Sequence, residues 1–282
     1  MTIKGKPLLS VVIPVYNGMP YLRDTVESVL PQLTPEMELI VRNNGSTDGT
    51  AAYLESLSDP RIRVVHCTET VSAGENWSAV CRLVAGSFTK VLCADDTVLP
   101  GGLERQLKAA FEHPDAALIA SRRQVIDETG RVVIRRHGLP GLTGTRNGAA
   151  ATKEAIMKGN NPFGEPSSTL FRTDALLLEL PFTEEFPYLT DLDMYVKVLR
   201  HGSFVGLDTV DATFRLSSTS WSNSIGASQL GQFRAWVAKL LEQGELSLTR
   251  QERALLRVRV TAMFAARRVA TLLTPALAVL RR

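Results

Sequence analysis

Along residues 1–115, short apolar runs alternate with stretches in which apolar residues recur every three or four positions. The β-branched run Leu9–Val15 predicts a buried strand, and Pro14, which has no N–H to donate, should lie near its end. Similar runs at residues 38–42, 61–66 and 89–94 predict three more strands.

Apolar residues at helical spacing predict three helices between these strands and a fourth helix after them. Their apolar positions are Leu22, Val26, Val29 and Leu30; Ala52, Tyr53, Leu54 and Leu57; residues within 74–84; and Leu103, Leu107 and Phe111. Strands and helices that alternate in this way are typical of a parallel sheet covered by helices on both faces. We therefore predict an α/β fold with a mostly parallel sheet.

After residue 115 the alternation becomes less regular. The predicted strands lie at 116–120, 168–171, 204–207 and 212–216, a hairpin lies at 124–135, and helices lie at 150–158, 190–201, 228–243 and 249–273. The glycine-rich residues 138–148 predict a mobile surface loop, and Pro275 should break the last helix near its end.

Composition and charge narrow the classes of function. With 44% hydrophobic and 22% charged residues, the 282-residue chain is typical of globular proteins. Residues 249–282 contain eight arginines and one acid, so the overall charge of +3 combines a tail of +7 with a body of −4, which argues against nucleic-acid binding. The three cysteines lack C-x-x-C spacing, which disfavours a zinc site. Residues 1–10 lack an apolar signal segment, so a cytoplasmic location is expected.

The last predicted helix has a basic side. On a helical wheel, Arg250, Arg253, Arg257 and Arg268 lie on one side, and Leu255, Ala262, Ala266 and Leu273 lie roughly opposite. Arginines at 267–268 interrupt the apolar residues, so the helix lacks the roughly 20 uncharged residues that a membrane span needs. Two interpretations stay open: a helix lying on the anionic inner face of the cell membrane, or a helix packed on the body with its arginines in water.

The clearest candidate chemistry follows the fourth predicted strand, where Asp95 and Asp96 are adjacent. Ligands of open α/β sheets bind outside the carboxyl ends of the strands. Neighbouring carboxylates repel each other unless a positive charge lies close by, and Mg²⁺ with a phosphate-bearing ligand provides one. The plainer interpretation is a pair of solvated acids that cap the next helix. The sequence contains no glycine-rich phosphate-loop motif, no G-x-S-x-G elbow and no H-E-x-x-H zinc motif.

Four short motifs occur in order within residues 9–221, namely VIPVYN (12–17), NNGSTDGT (43–50), ADD (94–96) and TDLD (190–193). Together with the alternation of strands and helices, they resemble the family 2 glycosyltransferases. The resemblance implies a GT-A fold with a Rossmann-like sheet, and an inverting, nucleotide-sugar-dependent enzyme. The expected domains are a catalytic domain at 1–224, with a nucleotide-binding half at about 1–115 and an acceptor-binding half at about 116–224, and a basic C-terminal helical extension at 225–282.

By this resemblance, six residues would bind the nucleotide, namely Asp95 and five others. Pro14 and Tyr16 would border the base and ribose, with the Tyr16 ring packed on the base. Asn43 stands where the family usually has an aspartate that accepts the uracil N3–H, and an amide carbonyl can accept that hydrogen bond without the charge. Asn76 would lie near the pyrophosphate or the sugar, and Arg215 would contact the diphosphate.

The same resemblance assigns the chemistry to acids. Asp95 would reach the ribose hydroxyls, and Asp96 would bind Mn²⁺ or Mg²⁺ between the two phosphates. Asp191 would act as the general base that takes a proton from an acceptor hydroxyl, whose oxygen attacks the anomeric carbon opposite the diphosphate; Asp193 is the reserve candidate. Because a helix N-terminus lowers the pKa of Asp191, burial or a nearby negative charge would have to raise it again.

The predicted function is transfer of a hexose from a nucleoside-diphosphate sugar, with UDP-sugars favoured, to a saccharide or lipid-linked saccharide in the synthesis of a cell-surface polysaccharide or lipopolysaccharide. Two alternatives stay open. Departures from the family pattern at Asn43, Cys93, Thr190 and Ser217 would also suit a nucleotide-sugar-binding module without turnover. A sugar-nucleotidyltransferase would also use a divalent ion, but it normally has a basic, glycine-rich loop after the first strand. The polar segment around Trp221 is expected to close over the nucleotide as a lid.

Overall fold

The computed structural model describes residues 6–217 and 228–279, with side chains described up to residue 266. In these residues one sheet contains β1 (Leu9–Val15), β2 (Met37–Asn43), β3 (Ile62–His66), β4 (Phe88–Val91), β5 (Ala116–Ile126), β6 (Val132–His137), β7 (Gly144–Arg146), β8 (Thr169–Arg172) and β9 (Ser203–Arg215). The α-helices are α1 (Tyr21–Val29), α2 (Thr50–Glu55), α3 (Ala73–Cys81), α4 (Gly102–Glu112), α5 (Gly148–Lys158), α6 (Thr173–Leu178), α7 (Thr190–Val198), α8 (Gln229–Glu242) and α9 (Arg250–Val279).

The sheet has the strand order β3-β2-β1-β4-β8-β5-β9-β7, and β6 pairs with the end of β5. β3, β2, β1 and β4 are parallel, which confirms the alternation predicted for the first half. In the second half β8 is antiparallel to β4 and β5, whereas β9 is parallel to β5. The register places Val15 opposite Asn43 and Asn43 opposite His66, so three strands end at the same edge of the sheet.

Helices cover both faces of the sheet, as the sequence predicts. Successive side chains of a strand face opposite sides, and β1 accordingly contributes to two cores. Val12 lies in a core with residues of α3 and α5–α9, whereas Val11 and Ile13 lie in a core with residues of α1, α2 and α4. The loops at the carboxyl ends of the strands are therefore anchored between two packed layers.

Two predictions for the second half are wrong. Residues 138–148 are not a surface loop, because they include β7 and because Leu139 and Leu142 are fully buried. The strands predicted at 204–207 and 212–216 are one continuous strand, β9, which follows β5 across a shift in register. The short polar stretch between the two predicted strands does not interrupt β9, because the neighbouring strand β5 continues beside it.

The C-terminal helices pack on the body in the part whose side chains are described. Leu256, Val260 and Phe264 of α9 are buried in the same core as α5 and α7. The apolar side predicted for this helix is wrong, since Leu255 is 51% exposed. The predicted break at Pro275 is also wrong, because α9 continues to Val279. Among the described residues, no helix combines the length and the apolar character that a membrane crossing requires.

Candidate active site

The first two motifs interlock at the carboxyl ends of β1 and β2. Asn17 Oδ1 accepts a hydrogen bond from the Thr47 N–H (2.8 Å), and the backbone N–H of Asn17 donates to Ser46 Oγ (2.9 Å). Asp48 Oδ2 accepts a hydrogen bond from the Met19 N–H (3.0 Å). These polar residues fix the two loops against each other and so shape the edge where the nucleotide-binding residues are expected.

Pro14, Tyr16 and Asn43 lie together at this edge. Pro14 is buried in β1, whereas the Tyr16 ring is 52% exposed and available to a ligand. Asn43 is buried: its Oδ1 accepts a hydrogen bond from the Ser46 N–H (3.1 Å), and its Nδ2 lies 3.2 Å from His66 Nδ1. A carbonyl oxygen can accept two hydrogen bonds, so the Asn43 contact with a base stays a prediction.

Asn76 lies on α3, near the end of β2. Its Oδ1 accepts a hydrogen bond from Arg42 Nη1, and its side chain is buried. The helix begins at an N-cap in which Ser72 Oγ accepts the Glu75 N–H (3.2 Å). Sequence reasoning missed Arg42, the cation that pairs with Asn76, because a single arginine at a strand end carries no recognisable pattern.

The acidic motif follows β4, whose ladder ends at Val91, earlier than predicted. Asp96 is 1% exposed, and its Oδ1 accepts a hydrogen bond from the Arg215 N–H (2.9 Å). The thiol of Cys93 and carboxylate oxygens of Asp95 and Asp96 all lie within 4.8 Å of one another. The interpretation of two solvated helix-capping acids is therefore wrong for Asp96, which is almost completely buried.

The donor set of this cluster fits a hard divalent cation. Burial raises the pKa of Asp96 well above its usual range, and the charge of Asp95 raises it further; burial also raises the pKa of Asp95. Burial and the neighbouring carboxylates raise the pKa of the Cys93 thiol. Two carboxylates that repel each other in a buried place are the kind of oxygen ligands that Mg²⁺ or Mn²⁺ would stabilise.

Asp191 lies in the first turn of α7. Its Oδ2 accepts a hydrogen bond from Asn161 Nδ2 (2.7 Å), and its Oδ1 accepts the Leu192 N–H (2.7 Å). Burial raises the pKa of Asp191 to about 7, and the charge of Glu165 adds to this effect. Burial and the charge of Glu165 therefore supply the increase in pKa that was expected to counter the effect of the helix dipole on Asp191.

Four carboxylates lie near enough to the Cys93 thiol to affect its pKa. After burial, the charges of Asp96, Asp95, Asp191 and Glu165 all raise its pKa. The charge of Glu165 also raises the pKa of both Asp96 and Asp191. The fold thus brings the two acidic motifs of the chain, about a hundred residues apart in sequence, into one neighbourhood.

Glu165 and its partner Arg123 were not identified from the sequence. Arg123, buried on β5, forms an ion pair with Glu165 and donates from Nη2 to Glu165 Oε1 (3.0 Å). A Cβ at Gly138 would lie 2.5 Å from Arg123 Nη1, and one at Gly164 would lie 2.9 Å from it. Both glycines have positive φ, so they supply space and backbone freedom around the guanidinium.

Asp193, the reserve candidate for the base, has other partners. It is 6% exposed. Its Oδ1 accepts a hydrogen bond from Trp236 Nε1 (2.8 Å), and its Oδ2 pairs with Lys197 Nζ (2.7 Å). The Trp236 contact joins α7 to α8, so the Asp193 carboxylate has a structural role in packing these two helices.

Arg215, at the end of β9, ties the acidic motif to two other segments. Its Nε donates to the Asp95 carbonyl (2.9 Å), its Nη1 to the Asp127 carbonyl (3.3 Å), and its Nη2 to Asp24 Oδ2 (3.3 Å). The predicted diphosphate contact stays a prediction, and the observed contacts are those of a positioning residue. The lid predicted around Trp221 lies outside the described residues.

We expect Arg215→Gln to lower the free energy of unfolding by about 2–3 kcal/mol, because a 2% exposed guanidinium with several acceptors is lost. Arg215→Lys should recover only a small part, because an ammonium cannot reproduce the planar fork. Urea denaturation of the three proteins measures the effect. Equal stability of all three would show that these contacts contribute little.

Comparisons with known proteins bear on the family and the fold of this chain. The profile of the family described as "Glycosyl transferase family 2" matches residues 10–177. A putative teichuronic acid biosynthesis glycosyltransferase, TuaG of Bacillus subtilis, is 38% identical over 109 residues, covering 38% of this chain and 43% of TuaG. Chondroitin synthase of Escherichia coli is 25% identical over 211 residues, covering 74% of this chain and 29% of the synthase. The chain spans less than two thirds of the length of the curated relatives that it matches.

Solved structures show the same fold. TarS 1–349 of S. aureus, crystallised with UDP-GlcNAc, superposes with a TM-score of 0.67 at 17% identity, covering 92% of this chain and 73% of that one. The mannosyltransferase PcManGT of Pyrobaculum calidifontis, crystallised with GDP-Man and Mn²⁺, gives a TM-score of 0.59 at 16% identity, covering 99% and 82%. The fold is therefore GT-A, as predicted. Because the family profile also matches more than half of the sequence, this chain belongs to glycosyl transferase family 2.

Proposed function

We propose that this chain is an inverting glycosyltransferase that moves a hexose from a nucleoside-diphosphate sugar to a hydroxyl acceptor. The observation that carries the proposal is that Asp96 and Asp191 both lie near enough to Cys93 for their charges to raise the pKa of its thiol. A single displacement needs one group that assists departure of the diphosphate and another that activates the incoming hydroxyl. These two acids would offer both in one neighbourhood of the fold.

On the donor side, Tyr16, Asn43 and Asn76 would bind the nucleotide, and Asp95 would hold the ribose. Asp96, together with Asp95, would hold Mn²⁺ or Mg²⁺, which when bound supplies a Lewis acid that neutralises the charge of the leaving diphosphate. The complexes of TarS with UDP-GlcNAc and of PcManGT with GDP-Man and Mn²⁺ support a nucleotide-sugar donor and a divalent ion. We favour a UDP-sugar.

On the acceptor side, Asp191 would take the proton of the acceptor hydroxyl. The hydroxyl oxygen then forms a bond to the anomeric carbon while the bond from that carbon to the diphosphate breaks, and the proton stays on Asp191. Asn161 holds the carboxylate by the hydrogen bond to Oδ2 (2.7 Å). Because burial and Glu165 raise its pKa to about 7, Asp191 is a stronger base than an exposed aspartate.

Turnover should therefore depend on pH through Asp191. A general base works only when ionised, so kcat should rise as pH increases from about 6 to about 8, with a midpoint close to the pKa of about 7. Initial rates of nucleoside-diphosphate release across this range measure the profile. A flat profile, or one that falls with increasing pH, would show that another group limits the reaction.

The activity itself is tested by mixing the protein with Mn²⁺ and single UDP-, GDP- or dTDP-sugars. Release of nucleoside diphosphate, stimulated by a saccharide, supports the proposal. Formation of nucleoside triphosphate from added pyrophosphate would instead indicate a nucleotidyltransferase, and binding without release across all donors would indicate a module without turnover.

The names of TuaG and chondroitin synthase support a role in cell-surface polysaccharide synthesis. The exposed arginines of α9 support contact with the anionic inner face of the membrane.

A further inference from the structure

The strand β6 is an exposed edge of the sheet. Within the described residues it pairs only with β5, and all six of its residues are exposed. Three consecutive apolar residues, Val132, Val133 and Ile134, are 38%, 56% and 42% exposed. An exposed, unpaired strand with apolar side chains either binds something or carries features that prevent pairing with another strand.

The segment around β6 concentrates positive charge. Residues 122–146 contain six arginines and two acids, a net charge of +4, whereas the other residues before position 249 carry −8. Arg136 and Arg122 share Asp208 as an ion-pair partner. Arg131 and Arg135 are exposed and form no ion pair with any residue in the described ranges 6–217 and 228–279. Both guanidinium groups are exposed to solvent, and the charge of Arg131 also lowers the pKa of Asp127 in the preceding turn.

β6 lies along the border of the candidate active site. The turn before it is held by Arg215, which donates to the carbonyl of Asp127 (3.3 Å) and to that of Asp95 (2.9 Å). At the other end, His137 is opposite Arg123, the partner of Glu165. Six residues of a strand span about 20 Å. The exposed strand therefore runs from the acidic motif towards the surroundings of the proposed base.

We infer that β6 binds an acceptor glycan that carries negative charges, carboxylate or phosphate. This inference rests on the proposed transferase function. Arg131 and Arg135 would pair with the acidic groups, and exposed apolar side chains on the same face of β6 would pack against the C–H faces of the sugars. The competing explanation is that the arginines only keep an exposed edge strand from pairing with other chains.

Binding of labelled polymers to the free protein tests the inference. The probes are polygalacturonate for carboxylates, polyphosphate for phosphates and dextran as a neutral glycan, each measured by fluorescence polarisation at low and high salt. The native protein should bind at least one anionic probe and not dextran. Arg131→Gln/Arg135→Gln should weaken that binding by about tenfold and reduce its salt dependence. Arg131→Lys/Arg135→Lys, which keeps the charges, should retain most of it.

The matched control is Arg82→Gln/Lys108→Gln, which removes two exposed positive charges outside β6 and α9 instead. The inference is overturned if this control loses the binding while the β6 variant keeps it, if dextran binds equally well, or if no anionic probe binds. Unchanged binding by Arg131→Gln/Arg135→Gln, together with new dimers or aggregates of that variant, would overturn it too. That result would show that the arginines only keep the edge strand from pairing with other chains. Because the measurement needs no donor and no turnover, its failure leaves the proposed transferase activity standing, and failure of the activity assay would leave the measured binding unexplained as acceptor binding.

Discussion

Asp191→Asn is expected to lower kcat by about 10³-fold, because the amide cannot accept the proton of the acceptor hydroxyl. The substitution preserves the shape of the side chain, and its Oδ1 can still accept the Leu192 N–H. The KM for the donor should change little, since Asp191 acts on the acceptor. Initial rates of nucleoside-diphosphate release in the presence of acceptor give both constants.

The same variant should be more stable than the native protein, which separates loss of the base from misfolding. The folded-state pKa of Asp191, about 7, lies above that of an unfolded aspartate, so native stability falls as pH rises through this window. The gain in Tm should therefore be larger at about pH 8 than at about pH 5, reaching about 3 °C at the higher pH. A variant that loses both activity and stability at the higher pH would point to a structural role instead.

Asp96→Asn is expected to lower kcat/KM by about 10³-fold, mainly through lost binding of the metal and diphosphate. The substitution should leave the fold intact, because an amide Oδ1 can still accept the Arg215 N–H, as the carboxylate of Asp96 does now (2.9 Å). Titration of UDP in the presence and absence of Mn²⁺ should show metal-enhanced binding for the native protein and none for the variant.

Asp174→Asn provides the matched control for both substitutions, because Asp174 lies on α6 with a side chain that is 71% exposed. It should leave kcat, KM and UDP binding as they are. Metal-enhanced UDP binding that survives in Asp96→Asn would contradict the assigned metal site, while leaving the role of Asp191 open to its own test.

The nucleotide-binding half was largely predictable because its strands are continuous apolar runs. The run Leu9–Val15 matches β1 residue for residue, and the parallel alternation that follows leaves few possible topologies. Asp95 and Asp96 could be singled out because they follow the predictable strand β4, whereas Asp191 was identified through the motif TDLD, one of those that carry the family resemblance. Their common neighbourhood could not be derived from spacing, because it depends on how β8, β5 and β9 insert next to β4.

The residues that sequence reasoning missed act through tertiary contacts. Glu165 lies in an irregular loop, and only the fold shows that it meets Arg123 and raises the pKa of Asp191. Lys90 belongs to a strand predicted to be buried, yet its Nζ is also buried and donates to Gln106 Oε1 (2.9 Å), and burial lowers its pKa to about 7. A buried cation inside an apolar run has no signature in the local pattern.

The most direct test of the account is a crystal structure with Mn²⁺ and UDP, in which anomalous scattering locates the metal. We predict that Mn²⁺ contacts the carboxylate of Asp96 and both phosphates of UDP, and that the carboxylate of Asp191 faces the same cleft. Mn²⁺ bound without Asp96, or a diphosphate in a cleft that Asp191 does not reach, would contradict it.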